Sequence, residues 1–260
     1  MKTIAVLPSR FAASRFPGKP LALIAGKPMI QRVWEAARSA RGVDDVVVAT
    51  DDERIRRAVS GFGGRVVMTD PGLNSGTDRV AAALDSLGEP FDVVLNLQGD
   101  EPAMHPETIA AVVELMAEDP TLPMGTAACA FASADELFNP NAVKVVTDDR
   151  KRALYFSRSP IPYLRNSKVF ECDFRPWLEP DQLRHYKRHL GLYAFRAEAL
   201  RAFTQLPPHP LERIEMLEQL RALAAGIAIG VAETPHISLG VDTPSEIPAV
   251  EALLRARGCL

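Results

Sequence analysis

The stretch FDVVLNLQGDEP, from Phe91 to Pro102, predicts a buried strand that ends in a polar loop. Its first eight residues form a nearly continuous apolar run, which is typical of a parallel strand covered by helices on both faces. Asp100 lies just past the end of this run, where ligands of open α/β sheets bind. A carboxylate there is placed to hold Mg²⁺, which prefers carboxylate and phosphate oxygens. The neighbouring Glu101 is the weaker candidate, because Pro102 fixes the chain direction after it.

Strands and helices alternate on both sides of this stretch. Strands are predicted at TIAVL (3–7), DVVVAT (45–50) and RVVMT (65–69), and helices at 28–41, 77–87 and 105–117. Asp52 follows the second of these strands and is predicted to cap the next helix. This alternation indicates an α/β, Rossmann-like layered fold with a mostly parallel central sheet.

The pattern changes after Pro123. Four strand-like segments follow without full helices between them, at GTAACAF, VKVVTD, ALYFSR and HLGLYAF. We therefore expect one domain over residues 1–260, with an inserted antiparallel sub-domain over approximately 129–196 that covers the substrate, contacts a second copy, or both. From Pro210 onwards, LERIEMLEQLRALAA predicts one helix, IAIGVAE a strand, and residues 245–257 a last helix.

Composition and charge argue against several classes of function. The 260 residues carry a formal net charge of −3, so there is no global basic field for nucleic acid or an anionic membrane. Three widely spaced cysteines, Cys129, Cys172 and Cys259, favour neither a disulfide framework nor a zinc site. His185 and His189 lie four residues apart, but a zinc site needs further ligands. The apolar run near the N-terminus is too short for a signal peptide, so we expect a cytoplasmic protein.

The loop PSRFAASRFPGKPL, from Pro8 to Leu21, follows the first predicted strand and is unusually cationic. Its three cations repel one another unless an anion lies among them, and Gly18 allows the backbone to approach such an anion closely. The polar side chains of the loop are Arg10, Ser14, Arg15 and Lys19. The loop predicts a phosphate-binding site at the end of the strand. The alternative is a solvated basic loop with a turn at Pro17-Gly18.

The two common nucleotide-binding motifs are missing from this sequence. Gly18-Lys19 is followed by Pro20 where a Walker A loop needs Ser or Thr, and GxGxxG does not occur. The sequence motifs therefore do not support an ATP hydrolase as the explanation for a phosphate site in this loop. A nicotinamide-dependent dehydrogenase, the oxidoreductase alternative, also loses its best support.

Two further polar stretches are compatible with either structural or functional roles. In NSGTDR (74–79), Ser75 or Thr77 can cap a helix, but small hydroxyl residues at a helix N-terminus also suit an anion. In GVDTP (240–244), Asp242 is a second carboxylate near the start of the last helix, and its local context indicates a helix cap. Asp100 is either a structural residue of its loop or a metal ligand.

Glu218 is a candidate for a different reason. If LERIEMLEQLR is one helix, Glu218 lies four residues after Ile214 and seven after Leu211, on the same apolar face. A carboxylate on such a face needs a partner, because its burial is otherwise costly. The alternative is a solvated glutamate at the edge of the apolar stripe.

The motifs together resemble those of a known family. LPSRFAASRFPGKPL, NSGTDR, QGDEP and GVDTP are similar to the signatures of the sugar-activating nucleotidyltransferases, most of all to the cytidylyltransferases that make CMP-activated acidic sugars. NPNAVKVV and YFSRSPIP also resemble that family, which usually has Ala where Ser9 stands. The motifs run from Leu7 to Pro244, so the resemblance covers nearly the whole chain.

This resemblance implies a reaction and its partners. The expected substrates are CTP and an acidic sugar, 3-deoxy-D-manno-octulosonate (Kdo), with Mg²⁺ as the cofactor and a homodimer as the assembly. The alternatives are a cytidylyltransferase for another acidic sugar, such as an amino-Kdo variant or a sialic-acid-like sugar, and a non-catalytic nucleotide-binding regulator.

The resemblance also implies roles for individual residues. The expected catalytic residues are Arg10, Lys19 and Asp100, and the expected metal ligands are Asp100 and Asp242. The expected nucleotide-binding residues are Arg10, Ser14, Arg15, Lys19, Ser75, Gly76, Thr77, Arg79 and Gln98. The expected sugar-binding residues are Arg158, Arg165, His189, Tyr193, Glu218 and Gln219.

Overall fold

The computed structural model of this chain describes residues 1–12, 16–165 and 180–260. The strands are β1 (Thr3–Ser9), β2 (Leu23–Ile24), β3 (Lys27–Pro28), β4 (Asp45–Thr50), β5 (Arg65–Met68), β6 (Val93–Leu97), β7 (Met124–Ala130), β8 (Lys144–Thr147), β9 (Ala153–Ser157), β10 (Lys187–Arg196) and β11 (Ile229–Glu233). Strands β2 and β3 form a separate two-stranded ribbon, and the other nine join one sheet.

Helices cover this sheet. They are α1 (Met29–Ser39), α2 (Glu53–Gly61), α3 (Gly76–Leu87), α4 (Pro106–Glu118), α5 (Ala134–Phe138), α6 (Pro180–Leu183), α7 (Ala197–Thr204), α8 (Pro210–Glu215), α9 (Gln219–Ala224) and α10 (Ile247–Ala256). Single 3₁₀ turns lie at Lys19–Leu21 and Pro244–Glu246. As predicted, the Asp52 side chain caps α2 by accepting a hydrogen bond from the Arg54 amide.

The sheet is mixed and mostly parallel, which confirms the predicted α/β class. Its main path runs β11-β7-β10-β6-β1-β4-β5. The pairs β1–β4, β1–β6, β4–β5 and β7–β11 are parallel. Strand β10 is antiparallel to both of its neighbours on this path, β6 and β7. The carboxyl ends of β1 and β6 therefore lie side by side, and the loops that follow them meet at one edge.

The predicted burial of the central strand follows from its position in the sheet. All five residues of β6 are buried. Val93, Leu95 and Leu97 contribute to one apolar cluster, with Ile30 and Val33 of α1. Val94 packs into a second cluster on the opposite face. Because both faces are covered by helices, the strand is continuously apolar rather than alternating.

The strands in the second half of the chain extend the same sheet. Strands β8 and β9 pair antiparallel with each other, and β8 pairs with the start of β10. Part of the expected insertion, residues 166–179, lies outside the described residues. The division of the chain into a domain and an inserted sub-domain over approximately 129–196 stays a prediction.

The prediction of one helix after Pro210 was wrong. Met216 has a φ of 53°, in the left-handed region, and this residue ends α8 before α9 begins. Leu211 and Ile214 are exposed, so the apolar face that they were expected to share with Glu218 does not exist. Periodicity could not reveal this break, because the residues on both sides of Met216 favour a helix.

None of the helices in the described parts of the chain has the length and apolar character that crossing a membrane requires.

Candidate active site

The cationic loop after β1 is folded back by a tight turn at Gly18. Gly18 has a φ of 74°, and its amide donates to the Phe11 carbonyl at 2.8 Å. A Cβ at this position would lie 3.0 Å from the Phe11 ring, so the turn has no room for a side chain. Arg10 is exposed and donates to the Asn74 carbonyl at 3.3 Å. Two residues predicted to bind the nucleotide, Ser14 and Arg15, lie outside the described residues.

Lys19 lies between two carboxylates that come from distant parts of the sequence. Its Nζ is 2.7 Å from Asp100 Oδ2 and 3.3 Å from Asp242 Oδ1. The two loops also bond directly, because the Val241 amide donates to the Asp100 carbonyl at 2.9 Å. The Lys19 side chain is 14% exposed, whereas those of Asp100 and Asp242 are 36% and 42% exposed. The pair of carboxylates is therefore open to a ligand from solvent.

The donors at this point suit a hard divalent cation. Asp100 and Asp242 supply carboxylate oxygens, and both already contact one cationic group, the Lys19 ammonium. Mg²⁺ takes one or two protein carboxylates and completes its coordination with substrate phosphates and water. The residues therefore fit Mg²⁺, and the role of both aspartates as metal ligands stays a prediction.

The Ser75–Thr77 stretch begins α3 and packs against the end of β1. Ser75 is the N-cap of α3, in a capping box with Asp78. A Cβ on Gly76 would lie 3.5 Å from Pro8 and 3.8 Å from Gln98 Oε1. A cavity of about 180 Å³ opens beside this contact. Its lining includes Arg10, Lys19, Gly76, Arg79, Gln98 and Asp100. Six of the predicted nucleotide-binding and catalytic residues thus surround one small cavity.

Thr77 connects this loop to the sheet and to α9. The Gln98 side chain donates to Asn96 Oδ1 at 3.3 Å, and Asn96 Nδ2 donates to Thr77 Oγ1 at 3.1 Å. Thr77 Oγ1 in turn donates to Glu218 Oε2 at 2.5 Å. Burial raises the pKa of Glu218, and the Thr77 hydrogen bond opposes that shift. Glu218 therefore has the partner that a partly buried carboxylate needs, although not on the predicted apolar face.

Arg79 connects the start of α3 to the ends of two neighbouring strands. Its side chain is fully buried, with Nη2 3.1 Å from Asp51 Oδ2 and Nη1 bonded to Thr69 Oγ1. Asp51 and Thr69 directly follow β4 and β5, so one guanidinium joins the ends of two strands to α3. Its buried Nε has no hydrogen-bond partner within the described residues. These contacts support a role for Arg79 in holding the loop.

Two predicted sugar-binding residues lie together on β10. His189 Nε2 is 3.0 Å from Thr126 Oγ1, and the ring centroids of His189 and Tyr193 are 5.4 Å apart. Burial, aided by the charge of Arg188, lowers the pKa of His189 to about 3. Burial and then the Glu218 charge raise the pKa of Tyr193 well above its usual value. Both side chains are therefore uncharged at neutral pH.

The remaining predicted sugar-binding residues are more dispersed. The Arg158 guanidinium donates to the backbone carbonyls of Glu215 at 2.6 Å, Pro140 at 2.9 Å and Met216 at 3.3 Å. Arg158 thus fixes the turn that separates α8 from α9. Gln219 is buried, and its Nε2 has no partner in the part of the chain that the structure describes. Arg165 is exposed at the edge of a described range.

Comparison with known proteins identifies the family of this chain. A family model described as cytidylyltransferase matches residues 4–229. The chain belongs to the cytidylyltransferase family. It is 50% identical to the 3-deoxy-manno-octulosonate cytidylyltransferase of Syntrophotalea carbinolica over 98% of this chain and 99% of that protein. It is 47% identical to the protein of the same name from Geobacter sulfurreducens, over 96% of this chain and 98% of that one.

A solved structure is also similar over the full length. It is titled as CMP:2-keto-3-deoxy-manno-octonic acid synthetase complexed with CTP. The two chains superpose with a TM-score of 0.86 and are 43% identical, with 99% of this chain and 100% of the other covered. The similarity extends across both halves of the sheet, which agrees with the predicted fold class.

Glu101 is a residue of this cytidylyltransferase whose contacts the sequence did not predict. Ser238 Oγ donates to its Oε2 at 2.6 Å, so the side chain joins the loop after β6 to the loop before Asp242. Burial raises the pKa of Glu101 to about 7, and the charges of Asp100 and Asp242 add to this shift. The one signal in the sequence is its position beside Asp100, because its partner lies 137 residues away.

Proposed function

We propose that this cytidylyltransferase transfers CMP from CTP to Kdo, with release of pyrophosphate, as a step of lipopolysaccharide biosynthesis. The observation that carries this proposal is the meeting of Lys19, from the cationic loop, with Asp100 and Asp242 at the strand ends. The names of the full-length relatives support Kdo as the acceptor, and the similar solved structure supports CTP as the donor. The anomeric hydroxyl of Kdo attacks the α-phosphorus in line, and the bond to pyrophosphate breaks.

On the phosphate side of the site, the residues balance the negative charge of the triphosphate. Arg10 and Lys19 neutralise the phosphate oxygens, with Arg15 and Ser14 as further ligands from the same loop. Asp100 and Asp242 would hold Mg²⁺, which when bound polarises phosphate oxygens and favours ionisation of an attacking hydroxyl. Catalysis of this kind depends on positioning and on charge stabilisation rather than on a covalent enzyme intermediate.

The nucleotide loop and the sugar side position the two substrates. Ser75, Gly76, Thr77 and Gln98 bind CTP, and Arg79 holds their loop in place. His189, Tyr193, Glu218 and Gln219 bind Kdo hydroxyls, and Arg158 and Arg165 are assigned to its carboxylate. Uncharged His189 and Tyr193 suit hydroxyl groups, because both can donate and accept hydrogen bonds without carrying charge.

The test of this function is pyrophosphate release with CTP, Mg²⁺ and Kdo. ATP, GTP and UTP serve as parallel donors, and a sialic-acid-like sugar and amino-Kdo as parallel acceptors. We expect release with CTP and Kdo and its loss when a chelator removes the divalent cation. Release with a different acidic sugar alone would change the acceptor. CTP binding without release from any acceptor would instead support a regulator.

We also propose a homodimer that acts in the cytoplasm. Three large apolar side chains on β9 and near the end of α8 are exposed: Leu154 by 62%, Ile214 by 78% and Met216 by 75%. Exposed apolar groups of this size favour burial against another surface. Sedimentation of the wild-type chain and of Ile214→Glu tests the assembly, and a wild-type monomer at micromolar concentration would contradict it.

A further inference from the structure

A second group of potential metal ligands lies outside the candidate active site. His105, Glu107 and His236 each offer one ligand atom, and these atoms all lie within 4.8 Å of one another. His236 Nε2 is 2.8 Å from Glu107 Oε2. The His105 and His236 rings stack with their centroids 3.6 Å apart. Two imidazoles and a carboxylate differ in kind from the all-oxygen pair at Asp100 and Asp242.

The local structure explains why these three side chains converge. His105 is the N-cap of α4, and its Nδ1 accepts a hydrogen bond from the Glu107 amide at 3.2 Å. His236 arrives from the loop after β11, which a 3.1 Å contact between Thr108 and Thr234 holds against α4. The two imidazoles are half-buried and Glu107 is exposed, so the group is anchored on one side and open to solvent on the other.

Burial favours the form of His105 that can bind a metal. Burial, and then the charges of His236 and Arg257, lower the pKa of His105 and so favour its neutral form. A neutral imidazole has a lone pair available for a metal. A cavity of about 410 Å³ beside the group is also lined by Glu114 and Glu233. Both carboxylates face this open volume, and each already pairs with a cation, Glu114 with Arg41 and Glu233 with Lys187.

We propose that His105, Glu107 and His236 form a binding site for a divalent transition-metal ion of the zinc class, separate from the Mg²⁺ site. Nitrogen and carboxylate ligands of this kind suit Zn²⁺, Ni²⁺ or Co²⁺, whereas Mg²⁺ prefers oxygen ligands alone. Three protein ligands leave the remaining coordination positions to water. The ion replaces two hydrogen bonds, those of His105 with the Glu107 amide and of His236 with the Glu107 carboxylate. The stacked rings must also tilt, because the lone pairs of parallel rings do not converge.

Binding at this site cross-links the two chain segments that lead to the candidate active site. His105 lies five residues after Asp100, and His236 lies six residues before Asp242. Arg257 already bridges these segments by donating to the Ala103 carbonyl at 2.7 Å and to the Ile237 carbonyl. A bound ion links the same two segments more strongly, and we therefore expect it to raise the melting temperature of the protein. This consequence for the two aspartates rests on the proposed function, whereas the binding site itself does not.

Titration of the tag-free, chelator-treated protein with Zn²⁺ tests the site by calorimetry and thermal unfolding. We expect one Zn²⁺ per chain, with affinity at least about tenfold weaker in His236→Ala and in Glu107→Gln. His185→Ala is the matched control, because His185 is exposed and has no place in the group. Equal affinity in wild type and His236→Ala, or no binding to wild type, would overturn the proposal.

Two further measurements separate this site from other sources of binding. Asp100→Asn should bind Zn²⁺ as wild type does, because Asp100 is not a ligand of this group. Co²⁺ should give a visible spectrum without a thiolate charge-transfer band, which would otherwise indicate the exposed Cys259. A thiolate band, or loss of binding in Asp100→Asn, would refute the assignment. Failure of the CTP and Kdo reaction would leave these binding results unchanged.

Discussion

The proposed phosphate side and the proposed sugar side of the candidate site are built in opposite ways. On the phosphate side, Arg10, Asp100 and Asp242 are charged, project from loops and are exposed or partly exposed. On the sugar side, His189 and Tyr193 lie on β10 within the sheet and are uncharged at neutral pH. Charged loop residues remain available to an anionic ligand or to a cation, whereas strand residues are already held in place by the fold.

This difference has consequences for mutations. Exposed ion pairs contribute little to folding, so changes on the phosphate side should affect activity far more than stability. Buried hydrogen-bonded groups are costly to leave unpaired, so changes in the network that joins the sheet to the loop should affect both. The four changes below test that contrast, from the largest expected effect to the smallest.

Asp100→Asn should give the largest loss of activity with the smallest loss of stability. We expect turnover to fall by at least about 10²-fold, because the variant removes a carboxylate that is proposed to hold Mg²⁺ at the reacting phosphates. The Lys19–Asp100 pair is partly exposed, so the free energy of unfolding should change by about 1 kcal/mol or less. Pyrophosphate release and urea unfolding measure the two effects.

Asp149→Asn is the matched control for this change, because Asp149 is exposed in a turn away from the site. Its turnover and stability should equal those of wild type. If folded Asp100→Asn also keeps wild-type turnover, the metal-ligand assignment of Asp100 is wrong.

Arg10→Ala should weaken CTP binding without destabilising the fold. Hydrogen bonds to charged groups contribute about 1.5–3 kcal/mol, so KM for CTP should rise by about 10- to 100-fold. Stability should change by less than about 0.5 kcal/mol, because Arg10 is exposed. Arg10→Lys should be intermediate, since lysine keeps the charge but not the planar fork.

The control for Arg10 is Arg38→Ala, which removes an exposed arginine from α1. It should leave KM for CTP unchanged. An equal rise in KM in both variants would show that the effect of Arg10 is one of overall charge rather than of contact with the nucleotide.

Local sequence was sufficient for the buried strands of the first half of the fold but not for the order of the strands in the sheet. The apolar runs at 45–50 and 91–98 predicted β4 and β6 because burial on both faces leaves a continuous apolar signal. The sequence carried no comparable signal for the position of β10 between β6 and β7 in the sheet. Strand order depends on contacts between residues that are far apart in sequence.

The same limit applies to the candidate site. The position of Asp100 could be predicted because it lies just past the end of an apolar strand. The partners of Thr77 and Glu101 could not, because Glu218 and Ser238 lie 141 and 137 residues away. The left-handed turn at Met216 was also hidden, because methionine carries none of the usual signals for that conformation.

Thr77→Val should reduce both stability and activity. The substitution keeps the shape of the side chain but removes the hydroxyl that bonds to Asn96 and Glu218. Buried groups left without partners cost about 1–3 kcal/mol, so the urea midpoint should fall by a corresponding amount. KM for CTP should rise as well, because the loop that Thr77 anchors lines the proposed nucleotide cavity.

Ser86→Ala controls for the loss of a hydroxyl elsewhere on α3. Ser86 is exposed and bonds only to the carbonyl one turn earlier, among the contacts that the structure describes. Its stability should stay within about 0.5 kcal/mol of wild type. A fully stable Thr77→Val variant would show that the network does not hold the loop.

His189 should make the protein acid-sensitive, and near neutral pH this is the smallest of the four effects. Burial lowers its pKa to about 3, while an unfolded histidine titrates near its ordinary value of about 6.5. Above pH 6.5 both states are neutral and the contribution to stability is fully present. As the pH falls from about 6.5 towards 3, the unfolded state binds a proton that the folded state does not. The free energy of unfolding should therefore fall by up to about 1.4 kcal/mol per pH unit.

The difference between two unfolding curves isolates this effect from the other titrating groups. His189→Gln keeps a polar partner for Thr126 but cannot be protonated, so its stability should depend less on pH between 7 and 5 than that of wild type. His185→Gln, which alters an exposed histidine on the same segment, should follow the wild-type curve. Parallel curves for wild type and His189→Gln would mean that His189 is solvated enough to be protonated in the folded state. The sugar side would then resemble the phosphate side in its access to water, and the contrast between the two would no longer hold.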